Sequence, residues 1–265
     1  MRLVKPLVIV EDDLGMQLPN GMTMAEHMLR KTEMFTRKCY KSEGRATADS
    51  YHKFIPAVFA TRRHTGIAEH RLVSVTFVTD RGVSHEFVRH RIAAYLQEST
   101  RYCDYSESKD PKGVCYILPP WMSPESPQWG GFIGDLADDD RRYARYRDAG
   151  WFPEQARYWL PQGVKTEYAA SLNLGGWHNF FDKRVSTAAH PQMRQVAIPL
   201  FRYFRQHLPE FYGDLWPNLE LRSDGRFVHP LKSGGEAVYP EAKLVINPYY
   251  DQVPLEEIDI RGDRG

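Results

Sequence analysis

Three cysteines in 265 residues, Cys39, Cys103 and Cys115, are too few and too widely spaced to build a disulfide framework, and they point to a reducing compartment. Charge of one sign is also lacking. Thirty-five Lys and Arg stand against 34 Asp and Glu, for a formal net charge of +1. That balance offers no broad basic field to duplex nucleic acid or to an anionic membrane, so any anion recognition must be local. No apolar run approaches the roughly 20 residues needed to span a bilayer. The opening stretch, Met1–Val10, is interrupted by Lys5 and Pro6 and followed at once by Glu11, Asp12 and Asp13, so it reads as a strand and not as a signal peptide. The expectation is a cytoplasmic, soluble protein with no membrane and no nucleic acid among its partners.

Several site signatures are missing as well. His85 and His90 are five apart, about 140° around a helix, whereas two imidazoles on one metal need a spacing of four. His64 and His70 have no third ligand at a useful spacing, so no metal site is expected. There is no Gly-rich phosphate loop, and Gly175-Gly176 alone is no dinucleotide fingerprint. Ser99 lacks the flanking glycines of a nucleophile elbow.

What is present is a large aromatic complement of 15 Tyr, 13 Phe and 6 Trp, enough bulk for a real core in one large or two small domains. Residues 3–10 and Leu72–Val78 read as strands, the second rich in β-branched residues. Helical spacing runs over Met22–Thr36, with a polar turn after it. It recurs over Thr47–Phe59, where Pro56 predicts a kink or a broken helix. Asp80-Arg81-Gly82 turns the chain into a short helix, and a further strand is expected near Gly113–Leu118. Leu136–Asp148 places Asp138, Asp139 and Asp140 before Arg141, Arg142, Arg145 and Arg147, the order that complements a helix dipole and suits a solvated face. Pro153–Leu160 reads as a short helix and Val164–Leu174 as extended. Gly175-Gly176 is expected to break that stretch before a helix from Trp177 to about Arg184. A last helix opens at Pro191, carries Val196, Leu200, Phe204 and Leu208, and is kinked at Pro199. The division expected is a main domain over 1–217 and a C-terminal extension over 218–265, with one strand-like piece at Lys243–Ile246.

The densest chemistry lies in Arg89-His90-Arg91-Ile92-Ala93-Ala94-Tyr95-Leu96-Gln97-Glu98-Ser99-Thr100-Arg101-Tyr102. Guanidinium groups beside hydroxyls and amides suit a phosphate held in one orientation. Composition alone leaves a plainer account open, the solvated cationic end of a helix.

Arg89-His90-Arg91, seven further residues, Ser99 and then Arg101-Tyr102 resemble the signature of the flavin-dependent thymidylate synthases. Other matches follow in the same order. Arg37-Lys38-Cys39-Tyr40 resembles that family's early Arg-x-Ser/Cys-aromatic turn, and His64 before Glu69-His70 its loop histidine. Ala156-Arg157 with Leu160-Pro161 resembles its Ala-Arg-x-x-Leu-Pro. Asn173, Asn179 and Arg184 fall at its later Asn, Asn and Arg. The resemblance covers about 40–60, 64–102 and 155–208.

The resemblance implies an α+β fold with a central sheet flanked by helices, assembled as a homotetramer with shared active sites. It implies reductive methylation of dUMP to dTMP, with FAD as cofactor, methylenetetrahydrofolate as carbon donor, NADPH as reductant and tetrahydrofolate as product. Glu86, Arg89, Gln97, Glu98, Ser99, Thr100, Arg101, Arg157 and Arg184 would bind dUMP, with Arg184 stabilising negative charge on the uracil ring. Cys39, Gly66, Arg89, His90, Arg91, Gln97, Asn173, Gly175 and Asn179 would line FAD, and His64 would stand where folate and NADPH enter. The chain departs from the family pattern at Ala94, Gln97, Glu86 and Gly175-Gly176; the last removes a cation, and Glu86 stands where some members have Gln. Two other readings stay open: a nucleotide- or RNA-binding protein without catalysis, and a flavin-binding relative that has lost the synthase activity.

Overall fold

Lys5 and Pro6 divide the first expected strand in two. The computed structural model describes residues 1–106, 113–247 and 253–260, and in it β1 (Arg2–Val4) and β2 (Leu7–Val10) belong to different sheets. Helix α1 (Met24–Cys39) begins at a reciprocal cap: Thr23 Oγ1 accepts from Glu26 N at 3.1 Å, and Thr23 N donates to the Glu26 carboxylate at 2.8 Å. The helix continues through Thr36–Cys39, where the sequence suggested a polar turn. Arg37 explains the difference. It is 7% exposed, its Nε donates to Glu33 at 2.8 Å one turn back, and its guanidinium lies over the Phe54 ring, so the polar residues are packed into the molecule.

Helix α2 (Tyr51–Pro56) ends where expected. Pro56 has no N–H to continue the ladder, and the chain widens over Ala57–Thr61 into a π turn closed by Arg62 N donating to Ala57 O at 3.1 Å. Strand β3 (Leu72–Asp80) leads directly into α3 (Arg81–Phe87), whose N-cap is Asp80, accepting from Val83 N at 2.9 Å. Next come β4 (Ala93–Gln97) and β5 (Cys115–Ile117). Helix α4 (Trp129–Asp148) starts seven residues before the expected Leu136 and absorbs three glycines. Its Asp138–Arg141 and Asp139–Arg142 pairs lie on the surface, but its charges are not all solvated. Asp140 accepts from Val114 N, and Arg147 grips Asp104. The Arg147 bonds hold the Asp104 carboxyl well below the usual carboxylate range.

The expected helix of Pro153–Leu160 is α5 (Pro153–Ala156) followed by a 3₁₀ turn over Arg157–Trp159. Strand β6 (Lys165–Asn173) runs straight into α6 (Leu174–Arg184), so Gly175 and Gly176 sit inside the first turn of the helix and do not separate it from the strand. The Asn173 side chain supplies the N-cap, accepting from Gly176 N at 2.7 Å. Helices α7 (Pro191–His207) and α8 (Pro209–Tyr212) precede β7 (Arg226–Pro230), β8 (Glu236–Pro240) and β9 (Lys243–Ile246).

The central sheet has the order β4-β6-β3-β2-β9, antiparallel except for the parallel β2–β9 pair. Residues after 218 therefore supply an edge strand of this sheet, with Val8 opposite Leu244. The β7–β8 hairpin turns through Gly234 and Gly235, both at the positive φ that glycine tolerates. Arg194, 2% exposed, ties the hairpin to α7 by donating to Val228 O at 2.6 Å and lying against the Phe227 ring.

One sheet face buries Val75, Phe77, Tyr168 and Leu172 against Trp177, Phe180 and Phe181 of α6 and Phe201 and Phe204 of α7. The other face buries Leu7, Ile9 and Val78 against Cys115 and Ile117. Cover on both sides accounts for the continuous burial of β3 from Val75 to Asp80, whereas β6 alternates because its outer face is open. The chain is α+β, with a central sheet that helices cover on one face and β5 packs against on the other.

Candidate active site

The two ends of the core sheet segment aim the motif residues. Helix α3 leaves β3 and carries Glu86; α6 leaves β6 and carries Arg184 on its last turn. Because β3 and β6 are antiparallel, the two helices leave opposite ends of the pair. Each runs back along the same sheet face, where Phe87 packs on Tyr168, Trp177 and Phe180 and the last turns of the two helices meet. Arg184 Nη1 donates to Glu86 Oε2 at 2.9 Å, Nη2 to the Glu86 carbonyl at 3.0 Å, and Nε to His90 Nε2 at 2.9 Å. A helix-end arginine that merely offsets a dipole would face its own carbonyls; this one is held by another element.

His90 is 6% exposed and lies against the rings of Phe87 and Phe180. Burial, and then the adjacent Arg184 charge, lower its pKa to about 4, so the ring is neutral at pH 7. An arginine Nε–H can only donate, so His90 Nε2 carries the lone pair and Nδ1 the proton. The Asn179 carboxamide, 3.5 Å from Nδ1, must then turn its oxygen toward the ring. Arg184, Glu86, His90 and Asn179 thus form one connected set.

The turn between α3 and β4 holds Arg89 and Arg91, both exposed, in neither helix nor strand. Tyr95 locks this turn by donating to His90 O at 2.6 Å, and burial pushes its own phenol up to about 12. Ile92 sits at φ 63° and is 87% exposed. A β-branched residue in that region is strained by about 1–3 kcal/mol. Ile92→Gly removes the strain at an entropic cost of about 0.5–1 kcal/mol. The melting temperature is therefore expected to hold or rise, while looser Arg89 and Arg91 lower activity; a thermal melt beside an activity assay checks both.

A second group forms after β4. Thr100, 5% exposed, accepts from Arg157 Nη1 at 3.3 Å, and Ser99 Oγ accepts from Arg101 N at 3.2 Å. Arg101 also pairs with Glu154 at 3.2 Å. The Thr100 hydroxyl and the Arg157 guanidinium thus meet from separate segments, with Ser99 and Arg101 on either side of Thr100 in the chain, the kinds of group that suit a monoester phosphate dianion. Gln97 Nε2 donates to Ser84 and Thr166 at 2.9 and 3.0 Å, which fixes its amide. Glu98 is engaged within the chain: Lys165 Nζ lies 2.7 Å from Oε2, and Tyr105 OH donates to Oε1 at 2.5 Å.

A third group borders a hollow of about 260 Å3 lined by Cys39, Tyr40, His64, Gly66, Ile67 and His70. Tyr40 OH lies 2.6 Å from His64 Nδ1, with the two rings stacked. Cys39, from the end of α1, is brought beside His64 and Gly66 of a later loop here. Asn173 and Gly175 occupy the start of α6, and a Cβ on Gly175 would meet Ala68 only at ordinary contact distance. Among the described residues no cluster of His, Cys, Asp or Glu is placed to hold a metal ion. A cavity of about 970 Å3 lies elsewhere, between α7 and the C-terminal strands, and no motif residue lines it.

Tyr95, Ser84, Thr166 and Tyr40 support the site without having been anticipated for it. The inward alternation of Ala93, Tyr95 and Gln97 on β4 was the available signal for the first of these.

The family model described as thymidylate synthase complementing protein (Thy1) matches residues 23–210, well over half of the chain. The chain belongs to that family, the flavin-dependent thymidylate synthases. Among curated relatives, the flavin-dependent thymidylate synthase of Geobacter sulfurreducens is 27% identical over 190 residues, covering 68% of this chain and 79% of that protein. The synthase of Pyrococcus furiosus is 29% identical over 156 residues, covering 58% and 62%, so against that relative the chain spans less than two thirds of its length. Two solved structures share the fold. ThyX from Helicobacter pylori, complexed with FAD and dUMP, superposes with a TM-score of 0.57 at 21% identity, covering 71% of this chain and 95% of that one. The UMP/dUMP methylase PolB from Streptomyces cacaoi, bound with 5-Br dUMP, gives 0.58 at 18%, covering 80% and 96%. The synthase family match ends before β7, so the hairpin and the β9 edge strand lie outside it.

Proposed function

We propose that this protein methylates dUMP to dTMP, taking the carbon from methylenetetrahydrofolate and reducing equivalents from NADPH through FAD, and releasing tetrahydrofolate. The observation that carries the reading is the Arg184 guanidinium, fixed by His90 and Glu86 where the last turns of α3 and α6 meet. Uracil C5 is a weak nucleophile until negative charge develops across N3 and O4, and an oriented guanidinium beside those atoms favours that charge. Ser99, Thr100, Arg101 and Arg157 are assigned to the dUMP phosphate, and Gln97 and Glu98 stand between that group and the ring.

Exposed Arg89 and Arg91, which have no side-chain partner among the described residues, fit the phosphates of an anionic dinucleotide. The hollow at Cys39, His64 and Gly66 accepts a flat apolar ring on one side. His90, Asn173, Gly175 and Asn179 are assigned to the same cofactor. When bound and reduced, FAD supplies the hydride that completes the methyl group. His64, paired with Tyr40, borders the entry assigned to folate and NADPH.

The hollow of about 260 Å3 is smaller than the roughly 300–1,000 Å3 of a ligand pocket. It therefore holds part of the cofactor, and another surface must supply the rest. Among the described residues β4 is an edge of the central sheet, Leu96 on it and Ile92 just before it are more than 80% exposed, and Phe152 and Tyr158 are exposed as well. Such an edge and such side chains suit burial against other copies. Both features favour a homotetramer with shared active sites. No described helix is long and apolar enough to cross a membrane, and the three free cysteines suit the cytoplasm.

Purified protein reconstituted with FAD is expected to be yellow and to bleach when NADPH is added without oxygen. A protein that takes up no flavin would refute the proposal.

A further inference from the structure

Every donor edge that Arg184 turns toward α3 is already occupied before any ligand arrives. Nη1 and Nη2 both bind Glu86, one through its carboxylate and one through its backbone carbonyl, and Nε binds a neutral imidazole. Glu86 is thus the counter-charge that faces this guanidinium. The other charged groups nearby are differently engaged. Asp182 and Lys183, on the same last turn of α6, pair with each other, and Arg89 and Arg91 point to solvent. The Glu86 side chain is 38% exposed and that of Arg184 20%, so a ligand can reach both.

We propose that Glu86 is a positioning residue that presets Arg184 and tunes the charge it presents to the pyrimidine ring. The inference rests on the dUMP reading above. Its two contacts fix the plane of the guanidinium in advance, so ligand binding does not have to order a long side chain. Its carboxylate also balances the Arg184 charge. A ring that arrives neutral meets a nearly neutral pair, and a ring that is already an anion meets the Glu86 carboxylate. The carboxylate therefore tempers the pull of Arg184 on ring charge and keeps a ring that is already an anion from binding tightly. An amide at this position would keep the hydrogen bond from Nη1 and remove the counter-charge.

The test compares two nucleotides on FAD-reconstituted wild-type protein and on the Glu86→Gln and Glu86→Asp variants, by equilibrium binding at pH 6 and pH 9. Bromine at C5 withdraws electrons and makes N3 acidic, so 5-bromo-dUMP is a ring anion at pH 9, whereas the dUMP ring is neutral at pH 6. Glu86→Gln is expected to bind 5-bromo-dUMP at pH 9 about tenfold more tightly than wild type. Its affinity for dUMP at pH 6 should stay within about threefold, because a neutral ring does not feel the removed charge; the gain of about tenfold for the anion corresponds to a shift of one pKa unit. Glu86→Asp keeps the charge and should give no such gain. A Glu86→Gln variant that weakens both nucleotides equally, or behaves like Glu86→Asp, would overturn the role. If wild-type protein binds neither nucleotide, the dUMP reading falls, and this inference falls with it; retained flavin absorbance shows that the variants are folded.

Discussion

Arg184→Ala is expected to leave FAD bound within about twofold of wild type and to lower kcat by about 10²–10³-fold, the usual effect of removing one fixed donor from developing negative charge. The expectation follows from where the side chain is held. His90 and Glu86 are placed by α3 and the turn after it, and Tyr95 fastens that turn through the His90 carbonyl, so losing Arg184 does not dismantle the elements assigned to flavin. Arg184→Lys should rescue little. A single ammonium cannot reach His90 Nε2, the Glu86 carboxylate and the Glu86 carbonyl from one plane. Flavin absorbance beside single-turnover dTMP formation separates the two effects. Full turnover in Arg184→Ala would remove the residue from the chemistry.

Trp177→Ala should destabilise the fold by about 3–5 kcal/mol, the range for deleting a fully buried aromatic. That is a large share of the roughly 5–15 kcal/mol that keeps a domain folded. Trp177 is 0% exposed and packs against Phe77, Phe87, Phe180, Phe181 and Phe204, which joins the sheet to α6 and α7. Its Nε1 also donates to Val73 O at 3.0 Å. No small rearrangement of five rings can fill the space it leaves. Because α6 carries Arg184, activity should fall at temperatures below the melting point. Urea unfolding with a loss under about 1 kcal/mol would contradict this picture of the core.

Legibility of the fold from sequence followed the strength of local signals. The β-branched run of β3 and the helix opening at Pro191 were plain, because periodicity and capping act over a few residues. The split at Lys5-Pro6 was not, since only long-range pairing assigns β1 and β2 to different sheets. The last turn of α1 looked polar because the burial of Arg37 depends on Glu33 and Phe54, a contact that spacing alone does not reveal. The place of β9 in the central sheet was hidden for the same reason: four residues find their partner more than 230 positions away.

The candidate site divided in the same way. Its residue types were legible through the family resemblance, and the structure gathers Glu86, His90, Asn179 and Arg184 into one set and Thr100 with Arg157 into another. The internal engagement of Glu98 by Lys165 and Tyr105 was not legible, because it joins β6 to the segment after β4. Asn173 is the cap of α6, as its residue type alone suggests, and accepts from Gly176 N.

The central claim is tested most directly by supplying FAD-reconstituted protein with dUMP, methylenetetrahydrofolate and NADPH and identifying both products. The account predicts dTMP together with tetrahydrofolate, in equal amounts, at the expense of NADPH. A yellow protein that oxidises NADPH yet forms no dTMP, or forms it with dihydrofolate, would contradict it.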